Sequence, residues 1–219
     1  MLLIRPGAAS PAGAAAPGRI SNKRLLDRTC AALENDDARL ALQAFGALYS
    51  GSATVPLLAT YLGFGRSRTW AAVNHLVDVS LARRLPGTCA YKLHDLTFSY
   101  ARMLGGECAV KAVAEFARVH ARDHAVLEAD MDNLLGAAAA ARESDPDAFL
   151  SIVETLALDG DHGHTLGLVR LLEHAVAQVR DEPGRCHTLL TKLGNAHYNE
   201  GGLAASRRRP FAPIMICGS

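Results

Sequence analysis

Apolar residues recur at helical spacing along most of the chain from about residue 21 to residue 206. Leu26, Cys30 and Leu33 form a first stripe, with Ser21 placed to cap it. Asn35-Asp36-Asp37 ends that helix and caps the next, which turns Leu40, Ala41, Ala44, Phe45 and Leu48 inward before Ser50-Gly51 stops it. A third, short helix is expected from Val55 to Leu62, with Pro56 in its first turn and Gly63 beyond its end. Ser67 is placed to cap a fourth, running to about Val79, with Val73, Leu76 and Val77 toward the core.

The period then changes. Leu81 to Leu85 and Thr88 to Leu93 are short strand-compatible runs joined by Pro86-Gly87, a dipeptide suited to a tight turn. Three short helices followed by a small hairpin is the order of a winged-helix domain, the helix-turn-helix variant whose hairpin lies beside the last helix. Asp95 is then placed to cap a helix bearing Leu96, Tyr100, Met103 and Leu104, which Gly105-Gly106 terminates.

Beyond the hairpin every period is helical. Val113, Phe116, Ala117 and His120 begin one stripe, and Leu127, Met131, Leu134 and Leu135 another; Asp145-Pro146 starts a helix containing Leu150, Val153 and Leu156. Short loops between such helices suggest an antiparallel solenoid. Leu193-Gly194-Asn195-Ala196-His197-Tyr198 followed by Gly201 has the spacing of the first helix and turn of a tetratricopeptide repeat, with Gly194 allowing a paired helix close and a second helix beginning near Leu203.

The expected fold is therefore all-α, mostly helical, with one small β-hairpin. Residues 1–20 form a disordered tail rich in Ala, Gly and Pro, residues 21–104 the winged helix, residues 107–206 the helical repeats, and residues 207–219 an irregular tail where Arg207-Arg208-Arg209-Pro210 breaks the pattern.

At 219 residues and 49% apolar, the chain can bury a real core. Its 23 Lys and Arg against 22 Asp and Glu give no overall field to recruit nucleic acid or an anionic membrane. Cys30, Cys89, Cys108, Cys186 and Cys217 are scattered, without a Cys-x-x-Cys pair, and read as reduced thiols of a cytoplasmic protein. No apolar run reaches the roughly 20 residues that cross a bilayer, so no membrane partner and no targeting segment are expected.

Three stretches carry a family likeness: Ala38 to Leu58 (ARLALQAFGALYSGSATVPLL), Leu76 to Leu81 (LVDVSL) and Tyr91 to Ala101 (YKLHDLTFSYA). In this order they resemble the winged-helix part of NB-ARC proteins, the signal-transducing ATPases with numerous domains, whose bacterial members include antibiotic-pathway regulators. Glu128, Asn133, Leu134 and Ala137 to Ala141 look like the first helices of the repeats that follow in such proteins. The resemblance implies a nucleotide switch, in which a P-loop domain holds ADP or ATP, the winged helix closes over the nucleotide at rest, and the repeats sense a protein ligand. No Gly-Lys dipeptide occurs here, so the phosphate cradle is missing. The chain is accordingly expected to be no enzyme and to hold no cofactor alone, acting as the regulatory portion of such a switch with a P-loop domain supplied in cis or in trans.

Leu93-His94-Asp95 stands where the family carries its Met-His-Asp-like motif. The resemblance implies that His94 reaches the β-phosphate of ADP, while Asp95 is the structural cap of the next helix. The alternative reading is a DNA-binding regulator, with Arg66, Arg68, Trp70, Asn74 and His75 on or before the groove-facing helix and Arg83 and Arg84 on the hairpin. The near-neutral total charge favours an ordinary solvated face instead. Asp159, Asp161, His162 and His164 form a polar cluster, but Gly160 and Gly163 and the lack of a second ligand pair favour a turn over a metal site. No Gly-x-Ser-x-Gly elbow is present.

Overall fold

The computed structural model describes residues 22–31, 33, 35–104, 109–158 and 165–207. These form eleven helices and one small antiparallel sheet. The expected tail at residues 1–20, the expected tail at 207–219 apart from Arg207, which ends α11, the helix cap at Ser21, the terminating glycines at 105 and 106, and the polar cluster at 159–164 lie outside the described residues.

The N-terminal half runs α1 (Asn22–Ala31), α2 (Asp36–Ala47), β1 (Ser52–Thr54), α3 (Val55–Leu62), α4 (Arg66–Asp78), β2 (Ala82–Arg84), β3 (Ala90–Leu93) and α5 (Asp95–Met103). Asn35 caps α2 as its sequence position suggests, its side chain accepting from the amides of Asp37 and Ala38 at 2.9 and 3.2 Å. Two other caps fall differently. Gly65 rather than Ser67 is the N-cap of α4, and His94 is the N-cap of α5. Asp95, expected to cap α5, is instead its first helical residue, and no side chain bonds that helix start; its carboxylate sits in the first turn, where the helix dipole still favours it.

The hairpin forms, and gains a third strand the sequence pattern does not announce. β1 pairs with β3, Ala53 opposite Tyr91, giving the order β1-β3-β2. A three-residue strand is too short to show alternation, which is why periodicity missed it.

The C-terminal half runs α6 (Val110–Val119), α7 (His124–Ala129), α8 (Met131–Ser144), α9 (Pro146–Leu158), α10 (Thr165–Gln178) and α11 (Pro183–Arg207). Asp145 accepts from the Ala148 amide at 3.2 Å at the start of α9. Successive helices pack on one another, α8 on α9, α9 on α10 and α10 on α11, with α6 against both α8 and α9. The predicted turn at Gly201 does not form: α11 continues unbroken through Gly201 and Gly202 to Arg207. Gly194 admits no close neighbour either, since nothing lies within 4 Å of where its Cβ would stand. A glycine in a repeat-like word is a spacing signal, and without a partner helix at that point it leaves only a weak spot in a long helix.

One apolar cluster extends from Leu33 to Ala196 and so belongs to both halves. Phe45, Phe116 and Phe149 are its largest fully buried side chains, each worth about 1.5–3 kcal/mol of transfer energy. Three expected inward residues are not inward. Leu40 is 42% exposed, and on α5 the buried residues are Thr97, Tyr100 and Ala101, leaving Leu96 and Met103 at 60% and 64% exposure. The cause is Gly46 of α2, whose missing side chain lets α5 come so close that a Cβ there would lie 2.3 Å from the Ala101 carbonyl oxygen. That approach sets the Thr97, Tyr100 and Ala101 side of α5 against the core and leaves Leu96 and Met103 outside.

Gly46→Ala should therefore destabilise the chain by about 1–3 kcal/mol despite the better helix propensity of alanine. Gly194→Ala, in open space, should stabilise it by up to about 1 kcal/mol. Urea unfolding of both variants checks this; a stabilising Gly46→Ala would refute the close α2–α5 approach.

Candidate functional site

Among the described residues, the one carboxylate buried in the core is not one that motif reading selects. Asp130, between α7 and α8, is 1% exposed, and no cation pairs with it among the described residues. Its carboxylate is met by neutral donors only. The Thr54 hydroxyl donates to Oδ2 at 2.5 Å, the Thr54 amide lies 3.2 and 3.3 Å from the two oxygens, and Asn133 Nδ2 donates to Oδ1 at 3.1 Å.

Asn133, also 1% exposed, extends the network. Its Oδ1 accepts from the Ser50 amide at 2.8 Å, and its Nδ2 donates to the Ser52 carbonyl at 2.8 Å. Thr54 Oγ1 in turn accepts from the Leu57 amide at 3.3 Å, capping α3. Two side chains at the start of α8 thus satisfy the backbone entering and forming β1, and hold the residue that starts α3. Beside them Gly136 of α8 packs on Tyr49, where a Cβ would lie 2.4 Å from the tyrosine Cβ.

Burial pushes the Asp130 carboxyl up to about 6, with the hydrogen bonds from Thr54 and Asn133 pulling the other way. Desolvation wins because no positive charge repays it. The pattern carries a signal for this site: Asp130 occupies an inward position of the stripe Leu127, Met131, Leu134, and a carboxylate inside an apolar stripe must find partners or be neutralised. Its partners lie 76 residues away in sequence, so the pattern cannot name them.

The motif residues are placed as follows. His94 is exposed at the junction of β3 and α5; its amide donates to the Leu81 carbonyl at 3.3 Å, and its imidazole has no side-chain hydrogen bond among the described residues. Asp95 beside it is also exposed. Of the residues proposed for DNA, Arg68 is engaged within the fold: it forks onto Asp37 at 2.6 and 2.7 Å and lies 3.8 Å over the Phe64 ring. Asn74 is also engaged, accepting from the Tyr91 hydroxyl at 3.3 Å, and His75 is half-buried. Arg66, Arg83 and Arg84 remain exposed. With Arg68 and Asn74 engaged, these residues do not form one basic face with free side chains.

Cys30, Cys89 and Cys186 are free thiols. Among the described residues no group of three His, Cys, Asp or Glu side chains is arranged to hold a metal ion, and no helix is long and apolar enough to cross a membrane. No protein-family model matches this sequence, and no curated protein and no solved structure matches it significantly.

Two measurements test the hub. Asn133→Ala strands the Ser50 amide and the Ser52 carbonyl and should cost about 1–3 kcal/mol, read from the urea midpoint. Asp130 gives a pH signature: its folded pKa, about 6, lies above the ordinary carboxylate value of 3.8. Between those values the native state binds more protons than the unfolded one, so stability falls as pH rises and is level above them. The stability difference between the natural chain and Asp130→Asn should shift against the natural chain by on the order of 3 kcal/mol from about pH 4 to about pH 7. A difference independent of pH would contradict the burial-driven shift.

Proposed function

We propose that this chain is the non-catalytic regulatory portion of a nucleotide-switch ATPase of the NB-ARC kind, its helix-and-sheet half acting as the winged helix and its helical half as the repeat domain that receives a protein ligand. The observation that carries the reading is the surface around the Leu93-His94-Asp95 motif. An exposed imidazole stands at the start of α5, and the outward side of the same helix leaves Leu96, Met103 and Leu104 at 60%, 64% and 39% exposure. Large apolar side chains left in water mark a place where another surface packs.

A P-loop domain meeting this face would bury those side chains and bring ADP to His94. The residues present fit one edge of such a pocket. The His94 side chain can donate to a phosphate oxygen, and the first-turn amides of α5 beside it carry no side-chain cap. The Asp95 carboxylate in that turn opposes an anion and limits how closely it approaches. The rest of the pocket, including the phosphate cradle, belongs to the partner domain, because the sequence contains no Gly-Lys dipeptide.

The hub gives the two halves a mechanical relation suited to a switch. Asp130 and Asn133 hold β1, β1 pairs with β3, and β3 runs directly into His94. A ligand that displaces the start of α8 would thereby act on the strand leading to the nucleotide edge.

The test is reconstitution with a P-loop core of the NB-ARC class and measurement of ADP affinity by calorimetry. His94→Ala should weaken ADP about tenfold or more, the worth of one charge-assisted hydrogen bond, without lowering thermal stability. Asp95→Ala should remove only a helix-dipole contribution below about 1 kcal/mol and leave ADP bound at least as tightly. Equal ADP affinity in the natural chain and His94→Ala would contradict the proposed role.

A further inference from the structure

A groove of about 680 Å³ lies between the outer side of α4 and the β2–β3 hairpin. Its floor is apolar and already ordered: Val55 and Pro56 at the start of α3 are buried, and Tyr91 of β3 is 4% exposed with its hydroxyl tied to Asn74. One wall is Trp70. The residues of α4 that face the core, Thr69, Ala72, Val73 and Leu76, are at most 1% exposed, yet Trp70 between them is 56% exposed. A half-exposed indole over an apolar floor is surface that an aromatic ligand would cover.

The charges at the groove are one-sided. Arg66 on α4 and Arg84 on β2 both line it, no carboxylate does, and neither arginine forms an ion pair among the described residues. The contrast is on the same helix: Arg68, two residues from Arg66, is held by Asp37 and stacked on Phe64. The fold neutralises the cation that points away from the groove and leaves the two beside it open. The volume is that of small-molecule sites, in which an apolar lining sets affinity and a few polar groups set orientation.

Two other clefts among the described residues lack this combination. The one at the hairpin tip, from Arg84 to Cys89, is formed by a turn without an aromatic wall. The smaller cleft of about 360 Å³ beside α1 includes the carboxylate of Asp27, which already accepts from the Tyr100 hydroxyl at 2.9 Å.

We propose that this groove binds a small amphipathic anion, a flat aromatic body against Trp70 and Tyr91 with a carboxylate or sulfonate-like group between Arg66 and Arg84. The site is separate from the His94 edge and does not depend on the nucleotide-switch reading. Occupancy would pin the hairpin to α4, since the ligand touches both.

The chain contains a single tryptophan, so Trp70 reports on its own groove. The probe is 8-anilinonaphthalene-1-sulfonate, with its uncharged parent N-phenyl-1-naphthylamine as the control; energy transfer from Trp70 is titrated in the full chain. The sulfonate should quench Trp70 saturably at one equivalent and bind about tenfold or more tightly than the neutral parent. Arg66→Gln/Arg84→Gln should remove that preference while leaving the neutral compound within about twofold. Trp70→Ala, followed by the probe's own emission, should weaken both. Far-UV circular dichroism and the urea midpoint of each variant must match the natural chain for its binding result to count; where Trp70→Ala fails this, Trp70→Leu replaces it with the same expectation. Equal affinity for the charged and neutral probes, an unchanged preference in the double variant, or multiple weak sites would overturn the proposal. Competition by duplex DNA that is as strong in Trp70→Ala as in the natural chain would overturn it in favour of a phosphate-binding face.

Discussion

A carboxylate that is 1% exposed and has no cation paired with it among the described residues is an expensive feature, and the structure is arranged around making it tolerable. Asp130 is supplied with the hydroxyl and amide of Thr54 and the amide nitrogen of Asn133. Hydrogen bonds to a charged group are worth about 1.5–3 kcal/mol each, but only if every donor stays in place. That condition fixes Thr54, and Thr54 is the residue through which β1 becomes α3. The position of a whole helix and strand is therefore set by residues on the far side of the chain, at the start of α8.

From this follows the unity of a chain that would otherwise read as two modules. The apolar cluster runs through both halves, and α3 packs on α6 while α7 meets β1. Apolar contact alone tolerates sliding; the hub does not, because a shift of one residue would leave the Ser50 amide and Ser52 carbonyl unsatisfied against Asn133. The close seating of Tyr49 on Gly136 has the same effect by shape. The sheet is the path by which that constraint reaches the surface, since β1 is hydrogen-bonded to β3 and β3 ends at the exposed His94.

The helices were legible because their signals are local. Asn35 before α2, Pro56 in the first turn of α3 and Pro146 at the start of α9 mark boundaries within a residue or two. What was not legible depends on distant partners. β1 is three residues long and exists because β3 lies beside it. The exposed Leu96 and Met103 look like core residues until Gly46 is seen to draw the Ala101 side of α5 inward. The repeat-like word around Gly194 and Gly201 fails for the opposite reason, because α11 continues through the turn and past the position near Leu203 where a second helix would begin. At the candidate sites, sequence located His94 and the exposed arginines by position, but only geometry separates Arg68 and Asn74, which serve the fold, from Arg66 and Arg84, which face the groove.

The central claim is that the hub makes both halves one cooperative unit, and the single tryptophan allows a direct test. Trp70 emission reports the N-terminal half alone, whereas far-UV circular dichroism is dominated by helices of both halves. Urea unfolding of the full chain followed by the two signals on one sample should give coincident midpoints and slopes, as one cooperative transition requires. A helical signal that persists or melts separately after the Trp70 transition is complete would contradict the account, because the two halves would then be stable apart and the buried carboxylate would be joining nothing.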